Sequence, residues 1–309
     1  MERRAHAGTG LVGRKIHRGQ FATLEEIHGE LAALNRYRLV PTCSADIEPL
    51  DAGELHTEVQ LRILERRFVE AERQAVEAEA SRAPRDASWF VHWFESLKSI
   101  GPGQGDPLFP WLAEEASLDD MRWFLRQEVA GEAGFEDLVA LTQVRLPTVA
   151  KLEMARNYWD EMGRGDQRGM HGPMLERLAA ELDVHSMATP VVWQTVALGN
   201  LMVALAANRC YTYQSVGALG VIELTAPGRA EQVNAGLRRL EIGGATRRYY
   251  ALHAQLDKQH AAAWIQQVLF TLVAEDPSLA RPIAEGALMR LRAGERCFSR
   301  YRAALWSTI

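Results

Sequence analysis

An all-α fold is what this chain predicts, and three observations predict it. Apolar residues recur at helical spacing along most of its length, no stretch of useful length alternates apolar with polar residues as a half-buried strand does, and no internal repeat is present. With 47% hydrophobic and 24% charged residues among 309, the chain can build a sizeable core. Residues 1–20 are basic, contain glycine and lack periodicity, which predicts a loose arm. Residues 53–80 read as a long amphipathic helix with Leu55, Val59, Leu61, Ile63, Leu64 and Phe68 as its apolar residues and a solvated Glu/Arg-rich remainder. Gly101-Pro-Gly-Gln-Gly-Asp-Pro107 reads as a linker and divides the chain into an arm with a helical extension over 1–100 and a helical bundle over 105–309. It is no phosphate loop, since no Lys-Ser/Thr comes after it and no strand precedes it.

Ser117 caps the next helix, entered through Leu118-Asp-Asp. Met121, Leu125, Glu128, Glu132, Phe135, Val139 and Thr142 then repeat at alternating four and three, an apolar seam that carries two acids. Arg145-Leu-Pro147 turns the chain, and Val149 to Met162 runs back. Counted from that turn, Glu128 and Glu132 both fall at a depth similar to that of Glu161 on the returning helix. Further helices are predicted over 173–183, 188–210, 229–240, 245–275 and 277–305. The apolar run from Val191 to Ala207 is interrupted by Gln194 and Asn200, so it reads as a buried helix and not a membrane span.

Charge and cysteine usage exclude several classes of function. A net charge of −5 with interspersed signs leaves no basic stripe, which disfavours nucleic acid as a partner. Three widely spaced cysteines (Cys43, Cys210, Cys297) without a Cys-x-x-Cys pair disfavour a disulfide framework, a zinc ribbon and a cysteine-held cluster, and suit a reducing compartment. The start, Met-Glu-Arg-Arg-Ala-His, lacks the apolar segment of an export signal, so a cytoplasmic protein without membrane attachment is expected. No Gly-x-Ser-x-Gly or paired Cys/His signal supports hydrolysis.

The strongest chemical signal lies in Tyr249-Tyr-Ala-Leu-His-Ala-Gln-Leu-Asp-Lys-Gln-His260. A helix turns by about 100° per residue, so His253, Asp257 and His260 share one stripe, which Tyr249, Trp264 and Val268 extend toward the interior. Two imidazoles and a carboxylate aimed into a core need a partner that both neutralises and bonds them, and a metal does both. The competing reading is a surface helix whose polar residues happen to align. Upstream, Glu161 ends a helical run, Gly163, Gly165 and Gly169 break or loosen the helix beyond it, and His171 stands ten residues on. Glu223 is the only charged residue between Arg209 and Arg229, where an ionised carboxylate is unfavourable unless paired or metal-bound; the alternative is a helix-terminal acid near Pro227. The lone Glu25-x-x-His28 spacing reads as chance on a solvated face, His92 as a packed core histidine, His185 as a cap or turn residue, and Arg247 and Arg248 as solvated at a helix start. Trp159, Trp193, Trp264 and the Tyr249-Tyr250 pair read as core packing before pocket lining.

Inward-pointing Glu, Asp and His side chains on facing helices are what a dinuclear iron or manganese site needs. Three segments together, Asn157-Tyr-Trp-Asp-Glu161-Met-Gly-Arg-Gly with His171, Leu219-Gly-Val-Ile-Glu223-Leu, and His253-x3-Asp257-x2-His260, resemble the heme-oxygenase-like diiron oxygenases, or iron-containing redox enzymes, over about residues 105–275. The resemblance implies an up-and-down helical bundle like heme oxygenase, without heme. It implies two iron ions and O2, with Glu128, Glu161, His171, Glu223, His253, Asp257 and His260 as the ligand set and Glu132 competing with Glu128. It points to the N-oxygenating branch, in which an extra carboxylate, here Glu161, serves catalysis, and an amine becomes an N-hydroxy, nitroso or nitro product in specialised metabolism. The chain carries no flavin or nicotinamide fingerprint, so the electron donor is a separate partner. Oxidative C–C cleavage of an amino acid or fatty acid is the rival enzymatic reading, and a helical binding protein without iron dependence the non-enzymatic one. Self-association as a homodimer stays open.

Overall fold

The computed structural model describes residues 23–41, 52–132, 134–187 and 190–306; the expected arm over 1–20 and Cys43 lie outside them. The described residues form helices and no strand, and the chain divides into two units, Met1–Phe68 and Val69–Ile309. In the first unit α1 (Leu24–Leu39) opens on a capping box in which Thr23 and Glu26 satisfy each other's backbone donors. His28 is buried there, edge-on to Phe68 at 4.8 Å, while Glu25 is exposed. The solvated face expected for this Glu-x-x-His pair is thus corrected: its histidine packs against an aromatic ring. Helix α2 (Ala52–Ala80) runs through the boundary between the units.

The second unit holds the remaining helices. In chain order these are α3 (Ala87–Ile100), α4 (Leu108–Glu114), α5 (Leu118–Gly131), α6 (Phe135–Thr142), α7 (Thr148–Glu161), α8 (His171–Glu181), α9 (Trp193–Ala207), α10 (Thr212–Arg239), α11 (Arg248–Ala263), α12 (Phe270–Glu275) and α13 (Ala280–Leu305). Residues 87–100 therefore fold with the bundle. Helix α10 is its axis: it packs against α3, α4, α9, α11 and α13, and Val216, Ala218, Leu219 and Val221 are buried on successive faces of it. Ser117 caps α5 through a reciprocal pair with Asp120, as its position predicts. Helix α9 is almost wholly buried, and no helix among the described residues is long and apolar enough to cross a membrane.

Three expected elements change. The single seam through 121–142 is two helices, because Glu132 ends α5 and Gly134 takes a left-handed φ of 71° to start α6. The helix expected over 229–240 is the second half of α10, which passes through Pro227. Proline cannot donate to the carbonyl four residues back, here that of Glu223, and surrounding packing holds the helix across the gap. Glu223 therefore sits mid-helix and not at a helix end. The element over 245–275 is α11 and α12 joined by a π-helical segment, Trp264–Leu269. Two side chains also reverse their expected environment. His92 is exposed, its Nδ1 3.0 Å from the Ser88 carbonyl, because Phe90, Val91, Phe94 and Leu97 occupy the inner face of α3. Trp159 is 53% exposed.

Candidate metal centre

The site is built by two local devices and one long-range one. Glu161 is the last residue of α7, and His171 the first of α8. Between them Gly163, Arg164 and Gly165 all take positive φ, and a Cβ on Gly163 would collide with the backbone of Gly169. A bridge between Met162 and Met170 closes this loop and folds His171 back onto Glu161, with Nδ1 2.5 Å from Oε2. On α11 the helical period stacks His253, Asp257 and His260 on one face. His253 Nδ1 donates to the Tyr249 carbonyl at 2.7 Å, which leaves the Nε2 lone pair free, and the His253 ring lies 4.5 Å from that of His171. The long-range device is the packing of α10 on α11, which delivers Glu223.

His260 is the hub. Its Nδ1 lies 3.5 Å from Glu223, 3.9 Å from Asp257 and 4.0 Å from Glu161, while Nε2 is 3.2 Å from Asp160. Asn157 donates to the other oxygen of Glu223 at 2.6 Å. Asp160 and Asn157 thus orient a donor each from one turn of α7, the office that outer partners perform at metal centres. Neither was singled out from the sequence as such a partner, although both stand within the Asn157–Glu161 segment. Two groups of donor atoms result, Glu161–His171–His253 and Glu161–Glu223–His260, each with all its atoms within 4.8 Å of one another, and Glu161 belongs to both.

Six of the seven residues singled out are therefore gathered at one place. Glu128 lines the same cavity, but the charges acting on it most strongly are those of Arg229 and Arg290. The acids of this hairpin that act on Glu161 are Glu136 first and Glu132 second, and Glu136 acts on His171 as well. A Cβ on Gly172 would stand 3.2 Å from the Glu136 carboxylate, which places that acid beside the start of α8. Counting along one unbroken helix hides Glu136, since the break at Gly134 rotates everything after it.

Electrostatics reflect this crowding. Burial, then the charges of Glu223, Glu136 and Glu132, push Glu161 well above the carboxylate range against an opposing pull from His260. Burial with Glu223 and Glu161 raises Asp257 to about 10. Burial lowers His171 and His253 to about 4, each helped by a neighbouring histidine, so both are neutral at pH 7. Burial also opposes charge on His260, but its close contact with Glu223, then the hydrogen bond to Asp160 and the charge of Glu161, outweigh it and lift the group to about 9. Without a counter-ion this is too many acids in too small a space.

The donor set fits iron. His171 Nδ1 and His260 Nδ1 are buried among carboxylate oxygens with no aligned hydrogen bond to any of them, and Asp257 Oδ1 is buried without one, a state that coordination would resolve. All the donors are nitrogen or oxygen, and neither Cys210 nor Cys297 belongs to either group, which suits iron better than a thiolate-seeking metal.

A helical bundle that gathers buried nitrogen and oxygen donors in this way has the makings of an iron-dependent oxidoreductase. The chain belongs to the iron-containing redox enzyme family, whose model matches residues 122–295, the span that carries every donor named above. Among solved structures it is similar to a CADD-like protein of unknown function from Nostoc punctiforme, at 17% identity and a TM-score of 0.50, over 79% of this chain and 99% of that one. That likeness is one of fold, the heme-oxygenase-like bundle. No curated protein matches the chain.

Proposed function

We propose that this protein is a diiron N-oxygenase that uses O2 to oxidise the nitrogen of a small-molecule amine, with electrons from a separate donor. The observation that supports two irons is the pair of buried donor groups that meet at Glu161, since each group has the donors to hold one ion. On this reading Glu161, His171 and His253 would hold one ion, and Glu223 and His260 with Glu161 the other, with Asp257 beside His260 as a further donor. Bound iron supplies the activation of O2; the rest is the work of the chain.

His171 and His253 need lose no proton to bind a metal at neutral pH, since burial already keeps them neutral. Asp257 and His260, raised to about 10 and about 9, hold protons at neutral pH in the metal-free protein that ions would displace, and burial with neighbouring acids favours the protonated form of Glu161 too. Asp160 accepts from His260 Nε2 and keeps the ring turned with Nδ1 toward the carboxylates. The cavity beside the donors has an empty volume of about 1070 Å³ including its part open to solvent, and Phe109, Phe124, Leu175 and Ile222 give its wall an apolar surface. Glu132 lines this space at an exposed edge of it, and the neighbouring acids Glu136 and Glu128 help to raise it to about 7. It is therefore matched to take the proton of an incoming ammonium and leave the nitrogen lone pair free.

The reading is tested by anaerobic Fe(II) loading, admission of O2 with a panel of amines, and mass analysis of products. N-hydroxy, nitroso or nitro products at about two irons per chain are expected. Ammonia, aldehyde or alkene products would favour C–C cleavage instead, and tight zinc held through sulfur would defeat the reading altogether.

A further inference from the structure

The cavity that carries the donor groups has a second polar end that the metal chemistry leaves unused. It is lined there by Arg229 from α10 and Arg290 from α13, with Glu128 from α5 as the acid acting on both. On α10 the lining residues Glu223, Ala226, Ala230 and Val233 form one helical stripe, with Arg229 on its edge. Arg229 is six positions beyond Glu223, or about 9 Å along the axis at 1.5 Å per residue.

Both guanidinium groups are short of partners. Arg229 donates from Nη2 to the Thr225 hydroxyl at 3.1 Å, and its Cζ stands 5.9 Å and 5.5 Å from the ring centres of Phe109 and Phe298. That holds the plane but engages one of five N–H donors. Arg290 makes no hydrogen bond or ion pair with any described residue, and its buried Nε has no partner. Two guanidinium charges share Glu128, and Glu132, itself raised to about 7, acts on Arg290 more weakly. Positive charge is thus left unbalanced on two half-buried side chains at the cavity wall, a state that an anion in the cavity would relieve. Arginine's planar fork of donors matches a carboxylate.

We propose that Arg229 and Arg290 form a carboxylate-binding subsite, so that the amine substrate is an amino carboxylate held by its acid at this end while its nitrogen reaches the donor groups at the other. This rests on the proposed oxidation of an amine at the donor end. Glu128 lines the same part of the cavity, and its charge acts on both guanidinium groups without a hydrogen bond to either.

Calorimetric titration tests it with hexanoate, hexylamine and 6-aminohexanoate, on metal-free protein and on anaerobic Fe(II)-loaded protein. Hexanoate should bind the metal-free protein, and 6-aminohexanoate should bind the loaded protein at least roughly tenfold more tightly than hexylamine does, the worth of a hydrogen bond to a charged group. Arg229→Met and Arg290→Met should each weaken hexanoate by roughly tenfold to hundredfold on the same ground. Glu128→Gln keeps both arginines and removes the competing acid, so it should tighten hexanoate, and this holds as a test should either methionine variant fail to fold. Hexanoate binding that survives both arginine changes, or that appears only with iron present, would overturn the subsite and place the acid on the metals. Failure of the N-oxygenase reading is read separately, as a lack of N-oxygenated product despite carboxylate binding to the arginine end.

Discussion

The two ends of one cavity bury charge in opposite ways. At the donor end three carboxylates and three imidazoles crowd together, so that burial and mutual repulsion raise both Glu161 and Asp257 above the carboxylate range. At the arginine end two guanidinium groups share Glu128, and burial together with Arg290 lowers Arg229 to about 10. The first end is short of positive charge and the second short of negative charge. A cavity polarised in this way binds cations at one pole and an anion at the other, and so sets the direction in which a bifunctional molecule enters.

Breaking the donor end should have the largest effect. His253→Ala or His260→Ala removes a donor from one group without emptying much core volume. Turnover should fall by more than roughly 100-fold, beyond the 10–100-fold typical of a lost outer partner, while far-UV circular dichroism stays that of the parent. Wild-type turnover in either variant would show the stripe on α11 to be structural.

Loosening the same end from outside should do less. Asp160→Asn or Asn157→Leu leaves all donors in place but frees His260 or Glu223, so Fe(II) affinity should drop roughly 10–100-fold. Arg290→Met, at the opposite pole, should leave iron stoichiometry unchanged. Equal losses of iron in the two kinds of variant would erase the distinction between the ends.

Acidity sharpens the comparison further. Above pH 6.5 the metal-free fold holds protons that the unfolded chain has released, since His260 is raised to about 9 and Asp257 to about 10. Stability of the metal-free protein should therefore decline as pH rises from about 6.5 to 9. Iron takes the place of those protons, so the loaded protein should lose far less over the same window, and its affinity for Fe(II) should rise with pH. Thermal melts of both forms across that range give the answer, and parallel curves would mean that the protons and the metal do not compete.

The smallest effect should come from the loop that joins two donors. Gly163→Ala forces a side chain into a left-handed conformation and against Gly169, which should lower stability by more than about 1 kcal/mol. A lower melting temperature with reduced iron occupancy is expected; an unchanged melt would show that the loop relaxes without strain.

What the sequence determined alone was local. The stripe on α11 is legible because helical period turns spacing into direction, and the glycines between Glu161 and His171 announce a loop because few other residues tolerate its backbone. The isolation of Glu223 among uncharged neighbours marked it as buried, though not as mid-helix, because Pro227 reads as a helix end until packing overrules it. Tertiary structure alone decided the rest. Whether Glu128, Glu132 or Glu136 turns toward the donors depends on a break at Gly134 that rotates one helix against the next, and a periodic count carries no record of such a rotation. Arg229 and Arg290 stand on different helices, 61 positions apart by number, and nothing in either local stretch says that they share a cavity. Period and turn chemistry act over a few residues, whereas a site's charge balance is set by which helices meet.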